Sequence, residues 1–318
     1  MTPSKFQGLL NEVQHLTDEQ SQQLKKYLQD DAPERKIILA LEQRLIDEPE
    51  CPHCHSHVIN RHGRINDMQR YRCKNCLKTF TATTNTPFAR LRYKGKWLDY
   101  LDGMLNSKVL RQAACDYQIS LRTAFRWRHR FLELPTQMKA SWLEGIVEVD
   151  ETFFAYSEKG NKHITRKPHK RGRQSGKPGR SIEDQVPVLT LRDRGKHTFE
   201  SILSSTSIKD IGQQIMGKIE KDSVLCSDGY KSYIQVAQDN DLIHKRLNSS
   251  AGIRVIDKVF HIQNVNAYHS RLKNWINIFH GVATKYLEHY LGWFRLMDTS
   301  DNLNKNNMFL IQQHLTAT

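Results

Sequence analysis

The stretch GIVEVDETFFAY, residues 145–156, sets the fold class because β-branched and aromatic residues surround Asp150 in it. Such a composition predicts a buried strand. Further strands are predicted at PVLTLRDR (187–194), HTFESILS (197–204), SVLCSDG (223–229) and IHKRL (243–247). Helical periodicity is found near 207–220, in YKSYIQVAQ (230–238), and at 262–280 and 284–297. The sequence therefore predicts an α/β domain over residues 143–300.

Two aspartates mark the ends of predicted core strands. Asp150 closes the run EVD and Asp228 closes VLCSD, where backbone ends and a ligand can meet. Carboxylate oxygens are the ligands that Mg²⁺ prefers, and a pair of metal ions can activate an attacking oxygen at phosphorus. A lone aspartate at such a place is usually a turn residue or a helix cap. Two of them in this order favour nuclease-type chemistry.

Four cysteines form two tight pairs, Cys51 with Cys54 and Cys73 with Cys76. Two C-x₂-C pairs with 18 residues between them are typical of a four-cysteine zinc site. Two disulfides or idle thiols are the alternative. The amino-terminal residues do not resemble a secretory signal, so we expect a reducing compartment, in which disulfides are rare. The pattern therefore predicts one structural zinc ion in a ribbon over residues 49–84.

The charge of the chain is positive and unevenly distributed. The formal net charge is +14, with 48 Lys and Arg against 34 Asp and Glu. Residues 51–135 carry 16 basic and 5 acidic side chains, which predicts a polyanionic partner. DNA is the leading candidate, although charge alone does not separate DNA from RNA or an acidic protein. No apolar run approaches the length of a membrane helix, and 38% hydrophobic residues exclude a disordered chain.

Residues 90–135 have the pattern of a helix-turn-helix. Ser120 is placed to cap a helix that carries Arg122, Arg126 and Arg130, which lie four apart and share one face. This face is predicted to bind DNA. The alternative is an ordinary basic surface helix. The remaining segments are predicted to be a helical segment at 1–48, a basic flexible loop at 157–184 and a carboxy-terminal tail at 301–318.

Taken together, these motifs resemble the ISXO-like branch of the DDE-superfamily insertion-sequence transposases. The resemblance covers roughly residues 50–298. It is carried by CPHC, CKNC, VEVDETFF (147–154), LCSDGYKSY (225–233), HIQNVNAYHSRLKNW (261–275) and HGVATKYLEHYLGWFRL (280–296). It implies a zinc ribbon and a helix-turn-helix ahead of an RNase H-like catalytic core, a mixed five-stranded sheet with flanking helices.

The resemblance also implies the site residues and the cofactor. Asp150 and Asp228 would be the main ligands of two Mg²⁺ or Mn²⁺ ions. Lys273 would contact the phosphate backbone near the scissile bond. These three positions match the superfamily pattern.

The third metal ligand departs from that pattern. The superfamily expects a glutamate on the helix after the fifth strand, and Asn266 stands at this place. Asparagine replaces glutamate in some subgroups of the branch, and it offers a carbonyl oxygen without charge. His269 lies one turn further on and could also approach the site. Glu288 is the nearest later carboxylate on a plausible helix, and we rank it below Asn266.

The resemblance implies a prokaryotic DNA transposase that binds terminal inverted repeats, cuts the transposon end and joins the 3′-hydroxyl to target DNA. We expect a cytoplasmic, nucleoid-associated protein that forms a dimer or larger homo-oligomer on double-stranded DNA, with no membrane partner. One alternative is a zinc-ribbon and helix-turn-helix regulator with a catalytically inactive RNase H-like domain. Another is a structure-specific nuclease without joining activity.

Overall fold

The computed structural model describes residues 2–29, 33–164, 185–248, 251–300 and 302–312. The chain divides into two compact units. The ribbon unit consists of Met1–Met104, Cys115–Gln118 and Lys305–Thr318, and the sheet unit consists of Leu105–Ala114 and Ile119–Asn304. Within the described part of the chain, none of the helices combines the length and the apolarity of a membrane span.

The helices and strands alternate largely as predicted. The helices are α1 Pro3–Val13, α2 Asp18–Gln29, α3 Pro33–Asp47, α4 Trp97–Leu105, α5 Leu110–Asp116, α6 Leu121–Gln137, α7 Ile208–Ile215, α8 Lys231–Asp239, α9 Gln263–Asn277, α10 Leu287–Thr299 and α11 Lys305–Ile311. The strands are β1 Ile59–Ile65, β2 Met68–Cys73, β3 Thr79–Phe80, β4 Ile146–Ala155, β5 Gln185–Asp193, β6 Thr198–Ile202, β7 Val224–Asp228 and β8 Ile243–Leu247.

Three helices open the ribbon unit, and a capping box starts the second of them. The Thr17 N–H donates to the Gln20 side-chain oxygen at 3.1 Å, and the Gln20 N–H donates to the Thr17 hydroxyl at 3.3 Å. This reciprocal pair satisfies backbone donors that the first turn of a helix leaves open. Helix α3 then buries Leu41 and Leu45 completely or almost completely.

The three short strands of the ribbon unit form one antiparallel sheet in the order β1-β2-β3. Ile65 pairs with Met68 across a two-residue turn. Asn66 and Asp67 both have positive φ there, as a type I′ hairpin turn requires. This turn brings the two cysteine pairs at 51–54 and 73–76 to the same end of the hairpin.

The sheet unit is built on five strands in the order β6-β5-β4-β7-β8. Strand β5 runs antiparallel to β4 and β6, whereas β7 runs parallel to β4 and β8 runs parallel to β7. This mixed sheet with helices on its faces is the RNase H-like architecture, so the predicted fold class is confirmed.

Alternation along β4 divides its side chains between the two faces of the sheet. Val147 and Val149 are fully buried in the core that the sheet forms with α7 and α8. Glu148 and Asp150 point to the opposite face, where their side chains contact α9. The sheet thus presents its apolar residues to one helix layer and two carboxylates to the other.

Helix α10 packs very closely against the end of α6. A Cβ atom on Gly292 would lie 2.7 Å from the Cα atom of Thr136 and 2.8 Å from the carbonyl oxygen of Pro135. Real Cβ atoms essentially never come this close to backbone, so only glycine permits this approach.

A buried ion pair lies beside this contact. The Arg295 Nη1 atom donates to Glu200 Oε2 at 2.6 Å, and its Nη2 atom donates to the Pro135 carbonyl at 2.8 Å. The Tyr268 hydroxyl donates to the other Glu200 oxygen at 2.6 Å. Burial raises the pKa of the Glu200 carboxyl, and Arg295 opposes that rise. The pair therefore joins α6, α9 and α10 to strand β6.

The structure describes two of the predicted segments in part. Residues 165–184 of the predicted basic loop lie outside the described residues. The predicted tail at 301–318 contains helix α11, which belongs to the ribbon unit. There Phe309 is buried, and its ring lies 5.1 Å from that of Phe88. The tail was predicted as a plain extension because the apolar positions in seven residues are too few to set a helical period.

Candidate active site and metal centre

The register of the sheet places Asp150 and Asp228 on neighbouring parallel strands, each two residues past the last paired position. Strand β4 pairs in parallel with β7 so that Ile146 is opposite Val224 and Glu148 is opposite Cys226. Two residues further on, the same offset brings Asp150 level with Asp228. Residues paired across neighbouring strands point to the same face. Both carboxylates therefore lie on the α9 side, at the carboxyl edge of the parallel strands.

The two strands part at this edge. Their pairing ends at Glu148 and Cys226, while β4 continues to Ala155 against β5 alone. The Asp228 carboxylate accepts the Tyr230 N–H at 3.0 Å as the chain turns into α8. The opening leaves the Asp150 side chain 20% exposed, so a ligand can reach it from solvent.

A buried tyrosine reports on the negative charge at this edge. The pKa of the Tyr233 hydroxyl is well above its usual range, first because the group is buried and then because of nearby carboxylates. Those carboxylates belong to Glu151, Asp150 and Asp228. Three acidic side chains thus act on one phenol, and this concentration of charge is suited to cations.

Helix α9 brings the other predicted residues to the same region. His269 is buried, and its Nδ1 atom lies 3.5 Å from Asp150 Oδ2. Asn266 precedes it by three residues and Lys273 follows it by four, so all three share one face of the helix. Both Asn266 and Lys273 are exposed to solvent. The contact of His269 with Asp150 therefore brings this part of α9 next to strand β4.

Glu288, the lower-ranked carboxylate, is bound elsewhere. It lies in the first turn of α10, and its Oε1 atom is 2.7 Å from Lys139 Nζ. The Glu288 carboxylate is therefore bound to Lys139, which lies in the segment that follows α6.

Glu148 is a site residue that the sequence reasoning missed. Its side chain is fully buried, and its Oε2 atom accepts the Val265 N–H of α9 at 2.9 Å. The period of two along β4 could have indicated that it shares a face with Asp150. A glutamate inside a strand is usually solvent-facing, however, so the sequence alone gives no reason to bury it.

The four cysteines of the ribbon unit converge. The Sγ atoms of Cys51 and Cys76 are 3.7 Å apart, and those of Cys54 and Cys73 are 3.6 Å apart. Zinc–sulfur bonds of about 2.3 Å in a tetrahedron require S···S separations of about 3.8 Å. In the described residues, this is the one set of three or more Cys, His, Asp or Glu side chains with mutually close ligand atoms. The donors fit a zinc ion.

The thiols differ in their surroundings. Backbone N–H groups of Cys76 and Asn75 lower the pKa of Cys73 to about 6, whereas burial raises the pKa of Cys51 to about 12. Two of the thiols are buried and two are partly exposed, and all four are free of disulfides. The predicted alternative of two disulfides is therefore not what the structure contains.

The predicted DNA-binding helix is α6. Ser120 caps it as predicted, since its hydroxyl accepts the Thr123 N–H at 3.1 Å. Arg122 and Arg126 are exposed, whereas Arg130 is half-buried and lies 3.7 Å from Glu133. Two of the three arginines thus point into solvent.

A neighbouring arginine on α6, Arg128, has a different role. It is buried against the ring of Trp293, with 5.1 Å from the guanidinium carbon to the ring centre. Its guanidinium also donates to the Lys108 carbonyl. The high arginine content of this helix therefore combines surface charge with internal packing.

Known proteins share the features of this chain. The profile of the ISXO2-like transposase domain matches residues 142–296. An uncharacterized protein in the transposable element ISH50 of Halobacterium salinarum is 27% identical over 250 residues, which cover 77% of this chain and 84% of that protein.

Two solved structures were also compared. The Mos1 strand transfer complex has 12% identity and a TM-score of 0.24, covering 63% of this chain and 75% of that chain. The Mos1 mariner paired end complex with Mn has 10% identity and a TM-score of 0.24, covering 91% and 92%. The fold is assigned from the strand order of the five-stranded sheet. The matching profile and the transposable-element relative show that residues 142–296 form an ISXO2-like transposase domain.

Proposed function

We propose that this protein cuts and joins DNA at the ends of its own insertion sequence, in a divalent-metal site centred on Asp150 and Asp228. The observation that carries the proposal is their register on neighbouring parallel strands, at the edge where those strands part. Two Mg²⁺ or Mn²⁺ ions, when bound, supply activation of the attacking oxygen and neutralisation of charge at phosphorus.

The residues of the chain then have distinct tasks. Asp150 and Asp228 hold the cations with charged oxygens, and the Asn266 amide offers a neutral one. Lys273 lies a turn beyond His269 and neutralises a phosphate next to the scissile bond. His269 holds the Asp150 carboxylate in place through the 3.5 Å contact. The same site accepts first water and then the 3′-hydroxyl of the cut end as nucleophile.

The other parts of the chain supply DNA affinity. Arg122 and Arg126 of α6 and the zinc-bound ribbon recognise the terminal inverted repeat. The basic segment at 157–184 holds flanking or target DNA through phosphate contacts, which are salt-sensitive and independent of sequence. Two copies or more assemble on paired ends, and the protein works in the prokaryotic cytoplasm at the nucleoid.

The test is cleavage and strand transfer of the element's end DNA with Mg²⁺ or Mn²⁺. Asp150→Asn and Asp228→Asn should abolish both products and leave end binding largely intact, because each removes a charged ligand. Glu288→Gln is the matched control and should retain activity, since that carboxylate pairs with Lys139. Loss of activity in Glu288→Gln with full activity in Asn266→Ala would move the third ligand to Glu288.

One observation favours a second function. Asn266 is uncharged, so a transcriptional regulator with a catalytically inactive core is the alternative. Specific binding to the terminal repeat, without any metal-dependent product from the wild-type protein, would support the regulator. Cleavage without repeat-specific binding or joining would instead indicate a structure-specific nuclease.

A further inference from the structure

Helix α9 is capped locally at Gln263, whose N–H donates to His261 Nδ1 at 3.2 Å. Its N-cap residue, Ile262, has no side-chain acceptor for the open N–H groups of the first turn. Such groups need a partner when they are buried. The Glu148 carboxylate provides one from strand β4, because its Oε2 atom accepts the Val265 N–H at 2.9 Å. The strand that carries Asp150 therefore caps the helix that carries Asn266.

The Glu148 carboxylate also forms an ion pair with Arg194. Its Oε1 atom lies 2.7 Å from Arg194 Nη1. Arg194 also donates to the Val259 carbonyl at 2.8 Å. A fully buried carboxylate is costly unless it is paired in this way. The ion pair and the Val265 hydrogen bond together connect the Glu148 side chain to Arg194 and to the start of α9.

The hydrogen bond between Glu148 and Val265 joins two residues that are close in sequence to proposed metal ligands. Glu148 lies two residues before Asp150 on the same face of β4, a separation of about 6.6 Å along a strand. Val265 directly precedes Asn266. One hydrogen bond between these neighbours therefore sets the third proposed ligand relative to the first.

We propose that Glu148 is a positioning residue that fixes Asn266 at the metal site by capping α9. The inference rests on the proposed function. A neutral amide draws a cation less strongly than a carboxylate does, so its contribution depends on being held in place beforehand. Residues that orient metal ligands in this way typically change metal affinity about 10–100-fold when removed.

The first experiment measures the cap directly in the full-length, zinc-loaded protein. Amide hydrogen exchange at Val265 should accelerate at least about tenfold in Glu148→Ala, and less in Glu148→Gln, which keeps an acceptor oxygen. Asp193→Asn is the matched control: Asp193 is a buried carboxylate of β5 that accepts the His197 N–H at 2.9 Å and lies 2.8 Å from His197 Nδ1. Unchanged exchange at Val265 in Glu148→Ala would overturn the inference.

The second experiment measures Mn²⁺ affinity by the loss of the free-ion electron paramagnetic resonance signal. Glu148→Ala should raise the Kd about 10–100-fold, and Asp193→Asn should leave it within about twofold. In the Asn266→Ala background, Glu148→Ala should add less than about twofold, because its target is already gone. If the two factors multiply instead, Glu148 acts by another route and the inference fails.

The two proposals fail in different ways. Unchanged Mn²⁺ affinity in Glu148→Ala, together with loss of binding in Asp150→Asn, overturns the role of Glu148 and leaves the proposed function standing. Unchanged Mn²⁺ affinity in Asp150→Asn refutes the metal site and with it the role of Glu148. Glu148→Gln keeps the test valid if Glu148→Ala does not fold, with a smaller rise in Kd expected.

Discussion

Replacing Arg295 by methionine should destabilise the sheet unit strongly and in a pH-dependent manner. The substitution leaves Glu200 fully buried without its cationic partner, and it removes the donor to the Pro135 carbonyl at the end of α6. Removing one partner of a buried ion pair costs about 3–5 kcal/mol of unfolding free energy. With a urea dependence of about 2 kcal/mol per M, the midpoint should fall by about 2 M.

The pH dependence has a definite sign. Burial raises the folded-state pKa of Glu200, so the native state keeps its proton at a pH where the unfolded chain has lost it. Stability therefore falls as the pH rises from the unfolded pKa of about 4.3 through the folded value. Loss of Arg295 removes the opposing influence and raises the folded pKa further. The penalty in Arg295→Met should thus be smaller at pH 5 than at pH 8.

Urea unfolding followed by tryptophan fluorescence suits this test, because four of the five tryptophans lie in the sheet unit. Glu200→Gln in the Arg295→Met background removes the stranded charge and should restore at least half of the lost midpoint. An equal loss at pH 5 and pH 8, with no recovery in the double variant, would refute the reasoning from charge.

Three further outcomes are expected. Chelation of zinc should unfold the ribbon over residues 49–84, since thiolate ligation contributes folding free energy, and well under one equivalent of zinc in the purified protein would contradict the site. Replacing Arg122 and Arg126 together should weaken end-DNA binding, by about 1–3 kcal/mol for each base contact, in a gel-shift titration; unchanged binding would remove this face from the interface. Gly292→Ala should cost about 1–3 kcal/mol by urea unfolding, because its Cβ meets the backbone of α6, and no loss would mean that the two helices can separate.

Local signals in the sequence account for most of the fold. The β-branched run at 145–156 predicted β4, and the short apolar run before Asp228 predicted β7. Ser120 predicted a helix start that the structure contains. Each of these features depends on residues within one helical turn or one strand. Secondary-structure propensity is determined over such short stretches of sequence.

Features that depend on tertiary packing could not be predicted from the sequence. The contact of His269 with Asp150 depends on how α9 docks on the sheet. From the sequence, the spacing of His269 from Asn266 indicated only that its side chain could approach the metal site. The burial of Glu148 depends on Arg194 and on the Val265 N–H of α9. These groups lie 46 and more than 110 residues away along the chain. Periodicity therefore predicts which residues share a face, and long-range pairing sets what that face meets.

The ribbon unit contains segments from before and after the transposase domain in the sequence. Helices α1 to α3 precede that domain, and α11 follows it. The sequence of the transposase domain, residues 142–296, is thus inserted between segments of the ribbon unit and does not follow it as a separate module. A stop codon just after α10 would spare every proposed catalytic residue and yet strip the ring of Phe309 from the ribbon unit. Exchange of the whole ribbon unit between relatives would therefore have to include three separate segments of the gene. A single continuous exchange of sequence could not replace the ribbon unit, so its evolution is tied to that of the domain inserted in it.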